Sequence, residues 1–164
     1  MLKFFGAVLI VSAFGVWGFS KSKRLKTRCD SLLTIISSLN LLENEISYGE
    51  KDIASALSSV GAMENLPFFI EIAENLKKTS AFCAFSNALN GTEMCLSQTD
   101  KDILLEFSQN LGTVSKDFQV SSILHTKELL LSSRNSACSD YEKYGKLYRN
   151  MGFLIGTLIA LIVI

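Results

Sequence analysis

The residues able to do chemistry are few and scattered. Two carboxylates, Glu43 and Glu45, lie in the stretch LENEISYGE, residues 42 to 50. General acid–base work by a carboxylate pair needs both groups to reach one reacting centre. On a helix at about 100° per residue, with Leu39 as origin, Leu32, Ile35, Ile36, Leu42 and Ile46 all fall within about 60° of it. Glu43 falls at about 40°, inside that apolar stripe, and Glu45 at about 240°, on its flank. The two carboxylates diverge, which removes a paired acid–base site. Glu43 needs a partner or a route to water. It reads either as an ion pair or hydrogen bond at the rim of a bundle, or as a contact to another protein. Glu45, Tyr48 and the Gly49 turn are the accompanying contact candidates, and lysine at position 43 or 45 is expected to weaken partner binding more than it unfolds the chain.

Cys29, Cys83, Cys95 and Cys138 form no C-x-x-C pair, and His125 is the only histidine. A zinc site needs about four well-placed ligands, so no metal is expected. The thiols read as small apolar side chains on helix faces in a reducing compartment, without a disulfide framework. His125 reads as a surface or packing residue. The chain carries no glycine-rich phosphate loop, no H-E-x-x-H and no G-x-S-x-G, and its serines sit in no nucleophile context. No catalytic residue and no cofactor are expected. The 164 residues carry 16 basic and 16 acidic side chains, a balance that predicts no nucleic acid partner.

The distribution of charge says more than its sum. No acidic residue precedes Asp30 or follows Glu142. Phe4 to Phe19 is free of charge, and as a helix these residues span about 24 Å, short of a roughly 30 Å bilayer core. Lys3 can snorkel at one end and Trp17 suits the other interface. Lys21, Lys23, Arg24, Lys26 and Arg28 follow, and by the positive-inside rule they keep that end in the cytoplasm. GVWGFSKSKR lacks the small-residue cleavage site of a signal peptide, so residues 1–19 are expected to form an uncleaved transmembrane anchor. Residues 151–164, MGFLIGTLIALIVI, are expected to form a second, shorter transmembrane segment, or a helix that only inserts. Lys143, Lys146 and Arg149, interleaved with Tyr141, Tyr144 and Tyr148, precede it as a basic and aromatic cuff. Gly152 and Gly156 give a G-x-x-x-G spacing, which lets helices approach closely.

Between the anchors, residues 20–150 read as a cytoplasmic, all-α antiparallel helical bundle. Leu25, Leu32, Leu39 and Ile46 recur every seven residues in an amphipathic helix over 22–48, stopped at Gly49. A short helix is expected from Asp52 to Val60, ended by Gly61. Asn65 is expected to cap the next, with Pro67 in its first turn. Further helices are expected over 80–89, ended by Gly91, and from a capping-box-like Thr99 and Asp102 to Gly112. Ser115 then caps a long helix running toward the second anchor, with Ser133, Ala137 and Tyr141 spaced for close packing.

In order and spacing these pieces resemble the stage III sporulation protein AB family of endospore-forming bacteria. The resemblance covers nearly the whole chain. It rests on MLKFFGAVLIV with its basic run, on LENEISYGE beside the family's L-E-x-E-I-x-Y-G, on LGTVSKDFQ at 111–119, and on EKYGKLYRNMGFLIGTLIALIVI. The chain departs in its middle, with Phe82 or Phe85 where the family often carries tryptophan. The resemblance implies a non-catalytic platform subunit in the mother-cell membrane around the forespore, within a channel or secretion-like complex. The family also looks like platform protein F of type II secretion and type IV pilus machines. A companion ATPase is then the implied cytoplasmic partner, with other membrane proteins of the complex, lipid and a possible second copy of the chain. The alternative is a small membrane-tethered adaptor or regulator not involved in transport.

Overall fold

A computed structural model describes residues 2–49, 52–92, 94–112 and 115–163, with the side chains of 2–5, 7 and 163 outside the description. Among the described residues there are six helices and no strand: α1 (Leu2–Tyr48), α2 (Ile53–Met63), α3 (Pro67–Leu76), α4 (Ala81–Gly91), α5 (Gln98–Gln109) and α6 (Lys116–Val163). The all-α class expected from the 3.6-residue periodicity is therefore the one found. The chain divides into two compact units, a helix pair (Met1–Cys29 with Asn135–Ile164) and a bundle (Asp30–Arg134).

In the bundle the heptad stripe of α1 is the spine of the core. Leu32, Ile35, Ile36, Leu39, Leu42 and Ile46 are all buried. The helices α2 to α5 each pack against the next. Their inner faces supply Leu57, Val60, Ile72, Leu104 and a run of phenylalanines. Phe68 meets Phe69 and Phe85 edge-on, and Phe85 meets Phe107 at a ring-centre distance of 5.9 Å, tying α3, α4 and α5 together. Such tilted ring pairs add to the stabilisation from burial alone. Ile123 and Leu130 of α6 close the core.

Several expected helix ends move. Gly61 does not stop α2, which runs on to Met63. A Cβ at position 61 would lie 2.7 Å from Ile70 Cγ1 and 2.9 Å from its backbone nitrogen. Gly61 is thus a packing residue that lets α3 fold back closely over the end of α2. Leu66, not Asn65, is the N-cap of α3, with Pro67 at its first position. Asn65 instead takes the left-handed turn between them at φ 52°, a conformation asparagine tolerates better than most residues. The capping box of α5 lies two residues earlier than expected. Ser97 accepts from the backbone N–H of Asp100, and the Asp100 carboxylate accepts from that of Ser97. The Ser133 hydroxyl of α6 also donates to the buried Asp100, so one carboxylate both starts α5 and ties it to α6.

In the helix pair, the first part of α1 and the last part of α6 run antiparallel. A Cβ on Gly18 would lie 2.5 Å from the Tyr148 carbonyl oxygen, one on Gly152 would lie 2.6 Å from that of Phe14, and one on Gly156 would lie 3.0 Å from Val11 Cα. Only glycine permits backbones this close, as the G-x-x-x-G spacing suggested. Further along the same pair, Cys29 and Cys138 form a disulfide with their Cα atoms 5.3 Å apart. This corrects the expectation of four free thiols. The two cysteines are 109 residues apart in sequence, and only the antiparallel pairing of α1 with α6 aligns them. Cys83 and Cys95 are free. Among the described residues no helix is long and apolar enough to cross a membrane. The expected anchor over 1–19 and segment over 151–164 both extend into positions outside the described side chains.

Candidate interaction surfaces

Glu43 finds its partner inside the bundle. Lys127 Nζ of α6 donates to Glu43 Oε2 at 2.7 Å, with the lysine and glutamate side chains 15% and 25% exposed. The structure thus shows the ion pair of the first reading of this residue. Glu45, half-buried, is also engaged in an interaction. Tyr48, the last residue of α1, is 89% exposed, and the Gly49 N–H donates to the Glu45 carbonyl to close the helix. The four candidates therefore separate: Glu43 staples the bundle, while Tyr48 projects from its end.

Beside that helix end lies an open groove of about 650 Å³. Ile46 and Gly49 line it from LENEISYGE, and Leu111, Gly112, Lys116 and Gln119 line it from LGTVSKDFQ. The two stretches that carry the family resemblance in the bundle therefore converge on one surface. Asp52, Ile53, Ala54 and Leu76 complete the lining. The hydroxyl and backbone N–H of Ser55 lower the Asp52 carboxyl below its ordinary value, so it is ionised at neutral pH. Lys116 on the opposite segment supplies a cation. The groove thus offers an apolar floor with one charge of each sign, which suits a protein partner better than a small charged ligand. Lys116, Asp52 and Gln119 were not among the sequence candidates. The signal that could have found them was the second stretch that carries the family resemblance, LGTVSKDFQ, whose residues become a surface only when α6 folds back beside α1.

Around the helix pair, Lys21, Lys23, Arg24 and Lys26 are exposed, as are Lys143, Lys146 and Arg149. Arg28 is half-buried and engaged. His125 is exposed and lines a cavity of about 240 Å³ with Glu106, Ser122 and Thr126. No group of three or more potential metal ligands occurs among the described residues.

The model of the stage III sporulation protein AB family matches residues 3–164. The chain is also similar to "Stage III sporulation protein AB" of Bacillus subtilis (strain 168), with 28% identity over 169 residues, covering 99% of each chain. No solved structure gives a significant match. With the family model matched from residue 3 to the last residue, the chain belongs to the stage III sporulation protein AB family.

Proposed function

We propose that the protein is a non-catalytic, membrane-anchored platform subunit of a sporulation channel or secretion-like complex. It sits in the mother-cell membrane around the forespore, keeps its bundle in the cytoplasm, and couples a companion ATPase to the membrane components. The observation that carries this reading is the inverted burial of the helix pair. Its large apolar side chains face outward: Leu9 is 69% exposed, Leu154 65% and Leu161 74%. Among the described residues its buried positions are all small, namely Gly18, Ala137, Gly145, Gly152, Gly156 and Ala160. In water this arrangement would leave a large apolar surface uncovered. In lipid it is the favourable one, because small residues pack helices while large ones face the acyl chains.

The charge pattern supports the orientation. Basic residues gather where the apolar surface ends on both helices, as the cytoplasmic side of a membrane favours. The short apolar stretches fit a locally thinned bilayer or a shallow hairpin. The groove at the bundle end, with Tyr48 beside it, is the surface we assign to the ATPase.

Membrane fractionation of sporulating cells combined with affinity capture of the tagged, full-length protein tests this reading. The protein is expected in the membrane fraction with the ATPase bound. Tyr48→Ala with Lys116→Glu, both at exposed positions, is expected to lose the ATPase while remaining in the membrane. A protein found only in the soluble fraction contradicts the anchor. Membrane attachment with neither ATPase capture nor a sporulation defect on deletion favours the adaptor reading instead.

A further inference from the structure

We propose that the helix pair holds a built site for the phosphate of an anionic phospholipid, between α1 and α6 at the edge of the apolar surface. This deepens the membrane-anchored reading and rests on it. The site is a cavity of about 270 Å³ lined by Ser22 of α1 and by Tyr141, Glu142, Gly145, Lys146 and Arg149 of α6. All six belong to the helix-pair unit.

The cavity has the chemistry of an anion site. Lys146 and Arg149 are three residues apart on one helix, so they share a face. An ammonium and a guanidinium together present a point charge and a planar fork to phosphate oxygens. The hydroxyls of Ser22 and Tyr141 add two donors. None of these four side chains has a hydrogen-bond or ion-pair partner among the described residues. Gly145 shapes the floor. A Cβ there would lie 2.9 Å from the Tyr141 ring and 3.3 Å from Ser22 Oγ, so any side chain would push into the space the hydroxyls serve. Glu142 also lines the cavity and opposes one of the two cations. The local excess is thus a single positive charge, enough for one phosphodiester rather than a multiply charged anion.

Its position selects a lipid over a dissolved phosphate. One turn along α6 from Arg149, Gly152 marks the close approach of the helices, and beside it Phe19, Phe153 and Leu154 are 59%, 60% and 65% exposed. On the other side lie the exposed Lys23, Arg24 and Lys143. The cavity therefore sits at the step from apolar to charged surface, where a headgroup phosphate lies when its acyl chains cover the apolar side. Tyr144 and Tyr148, with ring centres 6.5 Å apart, flank it as interfacial aromatics.

The test uses the full-length protein, floated with phosphatidylcholine vesicles to check anchoring. It is then titrated in detergent micelles with phosphatidylglycerol, phosphatidylcholine or soluble glycerol phosphate, with lipid retention read by native mass spectrometry. One phosphatidylglycerol per chain is expected, held about tenfold or more tightly than phosphatidylcholine. Lys146→Ala with Arg149→Ala is expected to remove that preference, and Glu142→Gln to strengthen it a few-fold. Lys23→Ala with Lys143→Ala, which removes the same charge outside the cavity, is expected to leave most of it. An equal loss in both double variants would mean diffuse surface attraction and would overturn the site. Glycerol phosphate binding as tightly as the lipid would overturn the lipid assignment. A wild-type chain that fails to float overturns the anchored reading and the site with it, whereas flotation without lipid preference overturns the site alone.

Discussion

At the scale of single residues, the Glu43–Lys127 pair shows what helical angles can and cannot reveal. The angle placed Glu43 inside an apolar stripe and so demanded a partner, but the partner stands 84 positions away and only the fold supplies it. Both groups are mostly shielded, so Glu43→Gln is expected to cost about 1 kcal/mol of stability. Glu43→Lys, which sets two ammonium groups together, is expected to cost more, and the exchange Glu43→Lys with Lys127→Glu to recover most of the loss. Thermal melting of the three variants checks this, and a swap no better than the single reversal would show that the pair does not stabilise the bundle. The melting series thereby reads the stability role of position 43 alone.

Asp100 was less legible. Its signature, a serine followed three residues later by an acid, occurs at Ser97 and Asp100, but the neighbouring Thr99 and Asp102 present the same spacing. Burial decides between them, because Asp100 is fully buried and holds both Ser97 and Ser133. Asp100→Ala strands those donors and is expected to cost about 2–3 kcal/mol. Asp100→Asn keeps an acceptor at the cap and is expected to cost less. Denaturation midpoints of the two variants measure the difference.

At the scale of elements, periodicity and breakers located the helices well but misplaced some of their ends. Gly61 reads as a stop in one dimension and serves as a packing notch in three. The G-x-x-x-G of α6 was visible as a spacing, whereas its counterpart Gly18 carried no motif and emerged only from the antiparallel pairing. The Cys29–Cys138 disulfide was hidden for the same reason. In protein purified under oxidising conditions it also provides a gauge of that pairing. Gly152→Leu would drive a side chain into the Phe14 carbonyl and force the helices apart, so the disulfide-dependent shift on a non-reducing gel is expected to fall sharply. Gly15→Leu, at a position with nothing within 4 Å of a Cβ, is expected to leave the shift intact. Equal shifts in both variants would contradict the close crossing of α1 and α6.

At the scale of the whole molecule, the all-α class and the family were legible because they depend on patterns spread along the chain. The basic run, LENEISYGE, LGTVSKDFQ and the tyrosine-rich cuff follow one another from one end of the chain to the other. The groove was not legible, since it is made from segments some sixty residues apart, the stretches beginning at Leu42 and Leu111, that meet only in the folded bundle. Its proximity to the exposed Tyr48 makes it the surface on which the proposed ATPase contact is tested. The most direct test replaces Tyr48 with a photo-activatable amino acid in sporulating cells and asks what it captures on illumination. The account expects a covalent adduct with the companion ATPase from position 48, and none from the exposed Phe82 of α4, which does not line the groove. Equal capture from both positions, or none from position 48 with the protein present in the membrane, would contradict it.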